Sequence, residues 1–417
     1  MVHGEAWTLK EFFVYPNEYI YWSIQIVMYP YMTGLVAGAF VLSSLYHVFG
    51  VKQLKDIARF SLVFSLALLP VAMMPLMLHL QQPQRGIYVM MTPHFTSAIA
   101  AFGIVFTTYG LIVASEIWFV YRQFIVETVL ELRGKPRRNS VESFRLILYS
   151  LLSMGAMDLS PEALHKDERA VGLLAGIGIP VACFLHGYAG FIFGSVKANA
   201  LWMTPLMPVI FICSAIVSGI ALCIVTYIVT MEIRKLIFAR KRKSNPRLPS
   251  TEELKSAEIQ VVTMTVKYLV MFLVLAITLE LLDLIFRTYT AVKSWDILRS
   301  VIYERDFFKI FILQYGLGNL VPFIIFLRPG LTIRRALVGT LLVLMGVFMM
   351  RWNVVIGGQA FSASFSGFMD YKMPIWPSSI EFYKEGLFGA LTVITTPFVL
   401  FYLVTRVLPV FGVKDTH

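Results

Sequence analysis

Along the 417-residue chain, apolar runs of membrane-crossing length alternate with shorter polar stretches. Crossing the hydrocarbon of a bilayer takes about twenty residues at about 1.5 Å each. Runs that meet this requirement, or nearly, cover 22–48, 60–80, 95–121, 171–196, 201–230, 268–288, 310–327, 333–352 and 386–405. They lack the alternation of barrel strands, and open strands would leave backbone groups unpaired in lipid, so the runs predict helices. A further run, "SFRLILYSLLSMGAMDLS" at 143–160, is short and fits either a tilted crossing or an interfacial helix.

The loops carry a second pattern. "VKQLKDIARF", "YRQFIVETVLELRGKPRRN", "RKLIFARKRKSNPR" and "RPGLTIRR" are rich in Lys and Arg, whereas "QQPQRGIYVMMTPHF" and 353–385 are poor in them. If 143–160 does not cross, all four basic loops fall on one side, as the positive-inside rule asks. If it does cross, two of them change sides. Charge alone therefore favours nine crossings. The polar, proline-containing stretch "KSNPRLPSTEELKSAE", 243–258, is the one linker-like segment. It divides the chain into a first helical half, 1–242, holding the first bundle and the start of the second, and the remaining helices, 259–417.

Composition agrees with a membrane solvent. Hydrophobic residues make up 58% and charged residues 15%, against about a quarter charged in soluble domains. The net charge of +11 reads as loop basicity beside apolar spans, so no nucleic-acid partner is expected. Cys183, Cys213 and Cys223 all fall inside apolar spans without a CxxC pair or metal spacing. A metal site, a disulfide framework and an iron–sulfur cluster held by this chain are therefore not expected. The opening "MVHGEAWTLKEFFVYPNEYIYW" lacks the basic segment and cleavage site of a signal peptide.

Polar groups inside lipid cost roughly 2.5–3.5 kcal/mol at a helix centre on insertion scales, so their short list is a map of candidate chemistry. Glu116, Glu280 and Asp283 lie within spans, and the last two, three residues apart, share a helix face. Carboxyl groups in an apolar bundle are suited to carrying protons, and the alternative is a carboxylate near a helix end paired with a base such as Arg287. His79 and His94 flank one loop, and His186 sits mid-span in "VACFLHGYAGFIFG". An imidazole titrates near neutral pH and can exchange a proton with a ligand hydroxyl. The alternatives are an interfacial position for the first two and an interhelical hydrogen bond for His186. Tyr29 is a candidate for a ligand carbonyl or a member of the interfacial aromatic belt. Asp158, in "DLSPE", is either a proton group or a helix cap ahead of Pro161. In "MRWNVVIGGQ", Arg351 and Asn353 close a helix at the interface, where arginine can reach water or a helix carbonyl, and Gly357–Gly358 permits a tight turn. Gln359 then faces an aromatic-rich loop suited to covering a pocket or docking a subunit.

Six stretches in order, "YPYMTGLVAGAF", "LHLQQPQR", "MDLSPEALHKDERAVG", "HGYAGFIFG", "LWMTPLMPVIFICSAIVSGIAL" and "MRWNVVIGGQ", resemble the NrfD/PsrC family over roughly 20–405. These are cofactor-free, quinone-interacting membrane subunits of respiratory complexes. The resemblance implies two four-helix bundles and, in the longer type that this chain is most similar to, about ten transmembrane helices, with nine as the alternative. It implies a pocket for menaquinone near the periplasmic face of a bacterial inner membrane, and no haem or iron–sulfur cluster in this chain. For such a pocket the candidate quinone contacts among the polar groups are Tyr29, His79, Arg85, His94 and His186, and the candidates for proton conduction are Glu116, Asp158, Glu280 and Asp283. The implied partners are a ferredoxin-like iron–sulfur subunit and, as in menaquinone reductase complexes, a molybdopterin-oxidoreductase-like subunit and a multihaem cytochrome c. Many relatives close the second helix with Leu-Gly-Arg-Pro. Here Gln81 and Gln82 replace the Gly and Arg, with Arg85 as the nearest cation. A secondary transporter and a haem b anchor are the rival readings. The first should show inverted repeats and matched broken helices, and the second needs two facing imidazoles.

Overall fold

The computed structural model describes residues 19–94, 96–97, 99–137, 139–196, 199, 201–242, 248–289, 295–360 and 368–411. The opening stretch read against a signal peptide therefore lies almost wholly outside the described residues, as do 243–247 of the polar linker and 361–367 of the aromatic-rich loop. The fold is all-α, and among the described residues nine helices are long and apolar enough to cross a membrane.

The first bundle comprises α1 (Ile24–His47), α2 (Lys55–Ala72) with its short continuation α3 (Met74–His79), α4 (Ala100–Gly134) and, after α5 (Ser140–Leu152), α6 (Pro161–Gly194). α1 packs on α2 and α6, and α4 packs on α6 and α2, which closes the ring. The second comprises α7 (Met207–Lys241), α8 (Thr251–Tyr289), α9 (Phe308–Leu327) and α10 (Ile333–Trp352). Here α7 packs on α8 and α10, and α10 packs on α9. The bundles meet where α7 packs on α1 and α6. α1 is buried from Ile24 to Leu45, as expected of a helix that is apolar all round. Its axis comes close to α7 because both present glycine: a Cβ built on Gly38 would lie 2.8 Å from the Gly219 Cα. After α11 (Ile380–Glu385), the ninth crossing, α12 (Leu387–Thr405), packs on α2 outside both rings.

The segment 143–160 does not supply a tenth crossing. It contributes to α5, which has 13 residues, about 20 Å of helix against about 30 Å of hydrocarbon. Asn139 and Glu142 cap its start reciprocally. Nine crossings place all four Lys/Arg-rich loops at one end of the molecule, here the basic end. The polar stretch 243–258 runs between α7 and α8, two helices of the same bundle, and its residues from Thr251 onward are already helical.

Among the described residues, three stretches wind as π-helix: Ser300–Arg305, Phe308–Leu320 at the start of α9, and Asn353–Gly357 continuing α10. Such widened turns rephase the side chains that follow them and are frequent at functional sites.

Candidate functional site

Several of the buried polar groups that the helices bring together, among them Arg351, His186, Ser214, Gln314 and Asn353, lie toward the far end, away from the basic loops. Arg351, on the last turn of α10, is fully buried and reaches no water. This corrects the expectation of an interfacial anchor. The helix does not stop there but continues through Asn353–Gly357, which keeps the guanidinium inside. Arg351 Nη2 donates to Ser214 Oγ at 2.7 Å and to the Phe211 carbonyl at 3.3 Å, both on α7, and its guanidinium carbon lies 3.9 Å over the Phe211 ring.

The same Nη2 lies 3.0 Å from His186 Nε2 on α6. Guanidinium can only donate, so Nε2 accepts and the ring proton sits on Nδ1. Nδ1 then donates to Thr33 Oγ1 at 3.3 Å, and Thr33 in turn donates to the Tyr29 carbonyl at 3.1 Å, both on α1. Gly34 leaves room for the imidazole, since a Cβ there would meet His186 Cε1 at 3.1 Å. With both nitrogens engaged, His186 offers no free lone pair to a haem iron.

A second network lies alongside in the second bundle. Gln314 Nε2, from the π-wound part of α9, donates to Glu280 Oε2 at 2.9 Å, and Asn353 Nδ2 donates to Gln314 Oε1 at 2.8 Å. The Tyr315 hydroxyl also bonds Glu280. Asp283, one turn along α8, accepts from Thr204 Oγ1 at 2.5 Å and pairs with Arg287 Nε at 2.9 Å. Glu280 and Asp283 do share a face, and both line a cavity of about 120 Å³ whose other walls include Leu201, Ile302, Tyr315, Met350 and Asn353. A narrower gap lined by Ser214, Glu280 and Gln314 joins the Arg351 cluster to the Glu280 network. The Asn353 Oδ1 and Arg351 Nε atoms are buried without a partner.

The start of α1 holds a third group. Ser23 caps the helix, and its Oγ lies 3.4 Å from His79 Nδ1. That nitrogen also meets Glu385 Oε2 at 2.9 Å. Ser379 caps α11, which ends on Glu385. Burial pushes the Glu385 carboxyl up, but hydrogen bonds to His79 and Ser23 outweigh it and hold the group below its ordinary value. Six residues further along α1, about 9 Å of rise, the Tyr29 hydroxyl is buried without a partner, its ring edge-on to Phe102 at 5.6 Å.

The remaining sequence candidates lie apart. Arg85 and His94 are exposed on the segment between α3 and α4, with His94 Nδ1 2.7 Å from Thr96 Oγ1. Glu116 is buried on α4 with neither oxygen partnered. Asp158 is at the basic end. Its carboxylate accepts from the Ser160 backbone at 2.8 Å and from the Ser160 hydroxyl at 3.1 Å, which hold it below the usual carboxylate range, while Ser160 itself caps α6 ahead of Pro161. Gln359 donates to its own helix at Val355. Gly357 and Gly358 continue the winding instead of making a tight turn. Gly358 is needed for the close approach of Trp202, which donates to the Val354 carbonyl at 2.6 Å. The loop after Gly358 returns to the first bundle, where the Asp370 carbonyl accepts from Ile20 at 2.9 Å and the Tyr371 hydroxyl from Ile24 at 2.8 Å.

Sequence reasoning weighed charged and imidazole groups and missed Thr33, Ser214, Gln314 and Tyr315, together with Glu385 in the far-end loop. Gln314 and Asn319, amides within the run "FILQYGLGNLVPF", were the available signal.

Comparison with known proteins agrees with this architecture. Residues 15–363 match the family described as polysulphide reductase, NrfD. The chain is 25% identical over 342 residues to a selenate reductase subunit of Mesobacillus selenatarsenatis, covering 82% of this chain and 74% of that one. It is 24% identical over 345 residues to the Hdr-like menaquinol oxidoreductase integral membrane subunit of Archaeoglobus fulgidus, covering 82% and 71%. A putative dimethyl sulfoxide reductase membrane subunit of Halobacterium salinarum is 28% identical over 208 residues, half of this chain and 43% of that one. With the nine apolar helices and the match over most of its length, the chain is an integral, multi-pass member of the NrfD family, the membrane subunits of oxidoreductase complexes.

Proposed function

We propose that this chain exchanges protons with a quinone of the menaquinone type while an extrinsic redox subunit exchanges the electrons. The positive-inside rule turns the basic end to the cytoplasm, so the far-end groups lie near the periplasmic face of the cytoplasmic membrane. The observation that carries the reading is the buried, unpartnered hydroxyl of Tyr29, on the same helix as the Ser23 cap and less than two turns along from the Ser23–His79–Glu385 cluster. A buried polar atom left without a protein partner fits a ligand oxygen, and the apolar surroundings suit a hydrophobic ring and tail. Bound quinone would supply two-electron, two-proton chemistry, and no redox centre in this chain is required.

Tyr29 and His79 orient the quinone oxygens, with Arg85 and His94 on the adjoining segment as outlying contacts. His186 acts through Arg351 instead of touching the ring. Glu280, beside a cavity and held by Gln314 and Tyr315, takes up and releases the proton, with Asp283 next to it. Glu116 is a separate proton station within the first bundle, and Asp158 serves the helix start. Partners of the kind the resemblance implies are an iron–sulfur subunit of ferredoxin type, a molybdopterin-oxidoreductase-like subunit and a multihaem cytochrome c, docking on the far-end loops. The name of the A. fulgidus relative includes menaquinol, which supports the choice of quinone.

Titrating the purified complex with a menaquinone analogue tests this reading. Tyr29→Phe deletes the hydroxyl without breaking a described protein hydrogen bond, so affinity should fall up to roughly tenfold with the thermal midpoint preserved. Wild-type affinity in that variant removes Tyr29 from the site.

A further inference from the structure

The largest of the cavities described is not at the far end. It lies at the basic end of the first bundle, about 630 Å³ in volume, between the end of α1, the start of α2, α4 and the start of α6. Lys52, Lys55 and Arg59 border it at spacings of three and four residues, so they share one face of the helical turn leading into α2. Among the described residues, none of the three is paired with a carboxylate. Two carboxylates also border the space. Asp167 is held by Arg122 at 2.6 Å, which cancels its charge, and Glu168 is mostly exposed with only His165 near it at 3.7 Å. Three cations thus face one uncompensated carboxylate. His47 Nε2 is sealed from solvent beside them without a partner. The opposite wall is apolar, formed by Phe119, Val120 and Val171.

We infer that this cavity binds the phosphate headgroup of an anionic phospholipid. The basic loops mark the level of the headgroups, the three cations suit the phosphate oxygens, and the apolar wall suits the first carbons of an acyl chain. A water-filled space would not need that wall, and a free anion would leave it bare. Basic residues near a membrane surface each add attraction for anionic lipid, and pairing them with a headgroup supplies the countercharge that the protein withholds.

The test uses the full chain, purified in detergent with its co-purifying subunits, titrated with phosphatidylglycerol or phosphatidylcholine and read by native mass spectrometry. The expected result is preferential retention of phosphatidylglycerol that excess inorganic phosphate does not displace. Lys52→Gln with Lys55→Gln and Arg59→Gln should weaken it about a hundredfold. Lys52→Arg with Lys55→Arg, which keeps the charge, should retain it, as should Arg240→Gln with Arg334→Gln elsewhere at the same end. Equal retention by the triple variant overturns the proposal, as does equal binding of phosphatidylcholine. Displacement by inorganic phosphate overturns it in favour of a free anion. Loss in the arginine variant overturns it in favour of simple structural damage.

Discussion

The two ends of the molecule use buried charge differently. At the basic end, charges close on one another: Arg122 with Asp167 at 2.6 Å, and Lys235 with both Glu258 at 2.9 Å and Glu232 at 2.6 Å. The Arg122 bridge joins α4 to α6, and the Lys235–Glu258 bridge joins α7 to α8. At the far end such pairs, Asp283 with Arg287 and His79 with Glu385, both at 2.9 Å, stand beside hydrogen-bonded chains that reach across helices and leave buried atoms without partners at Tyr29, Asn353 and Arg351. Closed pairs read as bracing between helices, whereas open chains read as sites still to be completed by a ligand or a proton.

The largest break in this contrast should come from Arg122→Ala. It leaves Asp167 without its guanidinium, and removing one member of a buried pair costs about 3–5 kcal/mol. The thermal midpoint should fall steeply while quinone turnover per folded molecule stays unchanged. A double variant with Asp167→Ala should recover part of the loss.

Glu280→Gln should do the reverse. The amide keeps the shape, so the midpoint should move little, while turnover falls about a hundredfold, as expected when a proton donor is removed. Unchanged turnover and proton uptake would take Glu280 out of the pathway.

A smaller effect is expected for His79→Leu, roughly tenfold in affinity for a quinone analogue, and normal affinity would count against this histidine. The smallest concerns Glu385. Its carboxyl is held below the ordinary 4.5, so the unfolded chain binds more protons in that range and stability rises with pH there. The contribution is complete above about 4.5 and is lost as acid takes the pH down through the lower, folded value. Glu385→Gln should flatten that part of a midpoint-against-pH curve, and an unchanged slope would show that the His79 contact does not hold the carboxylate.

Much of the fold was legible because lipid imposes a simple length rule. All nine long apolar runs became helices, and the charge of the loops favoured the count that the short α5 then bore out. The site was legible only in part. Glu280, Asp283, His186 and Arg351 announce themselves as costly groups in apolar runs. Their partners do not, because Ser214, Thr33 and Gln314 are tolerated in membrane helices in many roles, and only the crossing of helices from different parts of the chain brings them together. The π-wound stretches hide it further, since they shift Gln314 and Asn353 off the face that a regular 3.6-residue period would assign. The same continuation separates Arg351 from water, because the helix runs on for another turn.

The contact between His186 and Arg351 spans the seam between the two halves of the molecule. Because the guanidinium occupies the imidazole lone pair, the ring cannot accept a proton while the seam is fastened there. Protonating it requires the arginine to swing aside, and that releases a tether between the halves. Protonation of this ring is therefore tied to one of the contacts that fasten the halves, beside the packing of α7 on α1 and α6.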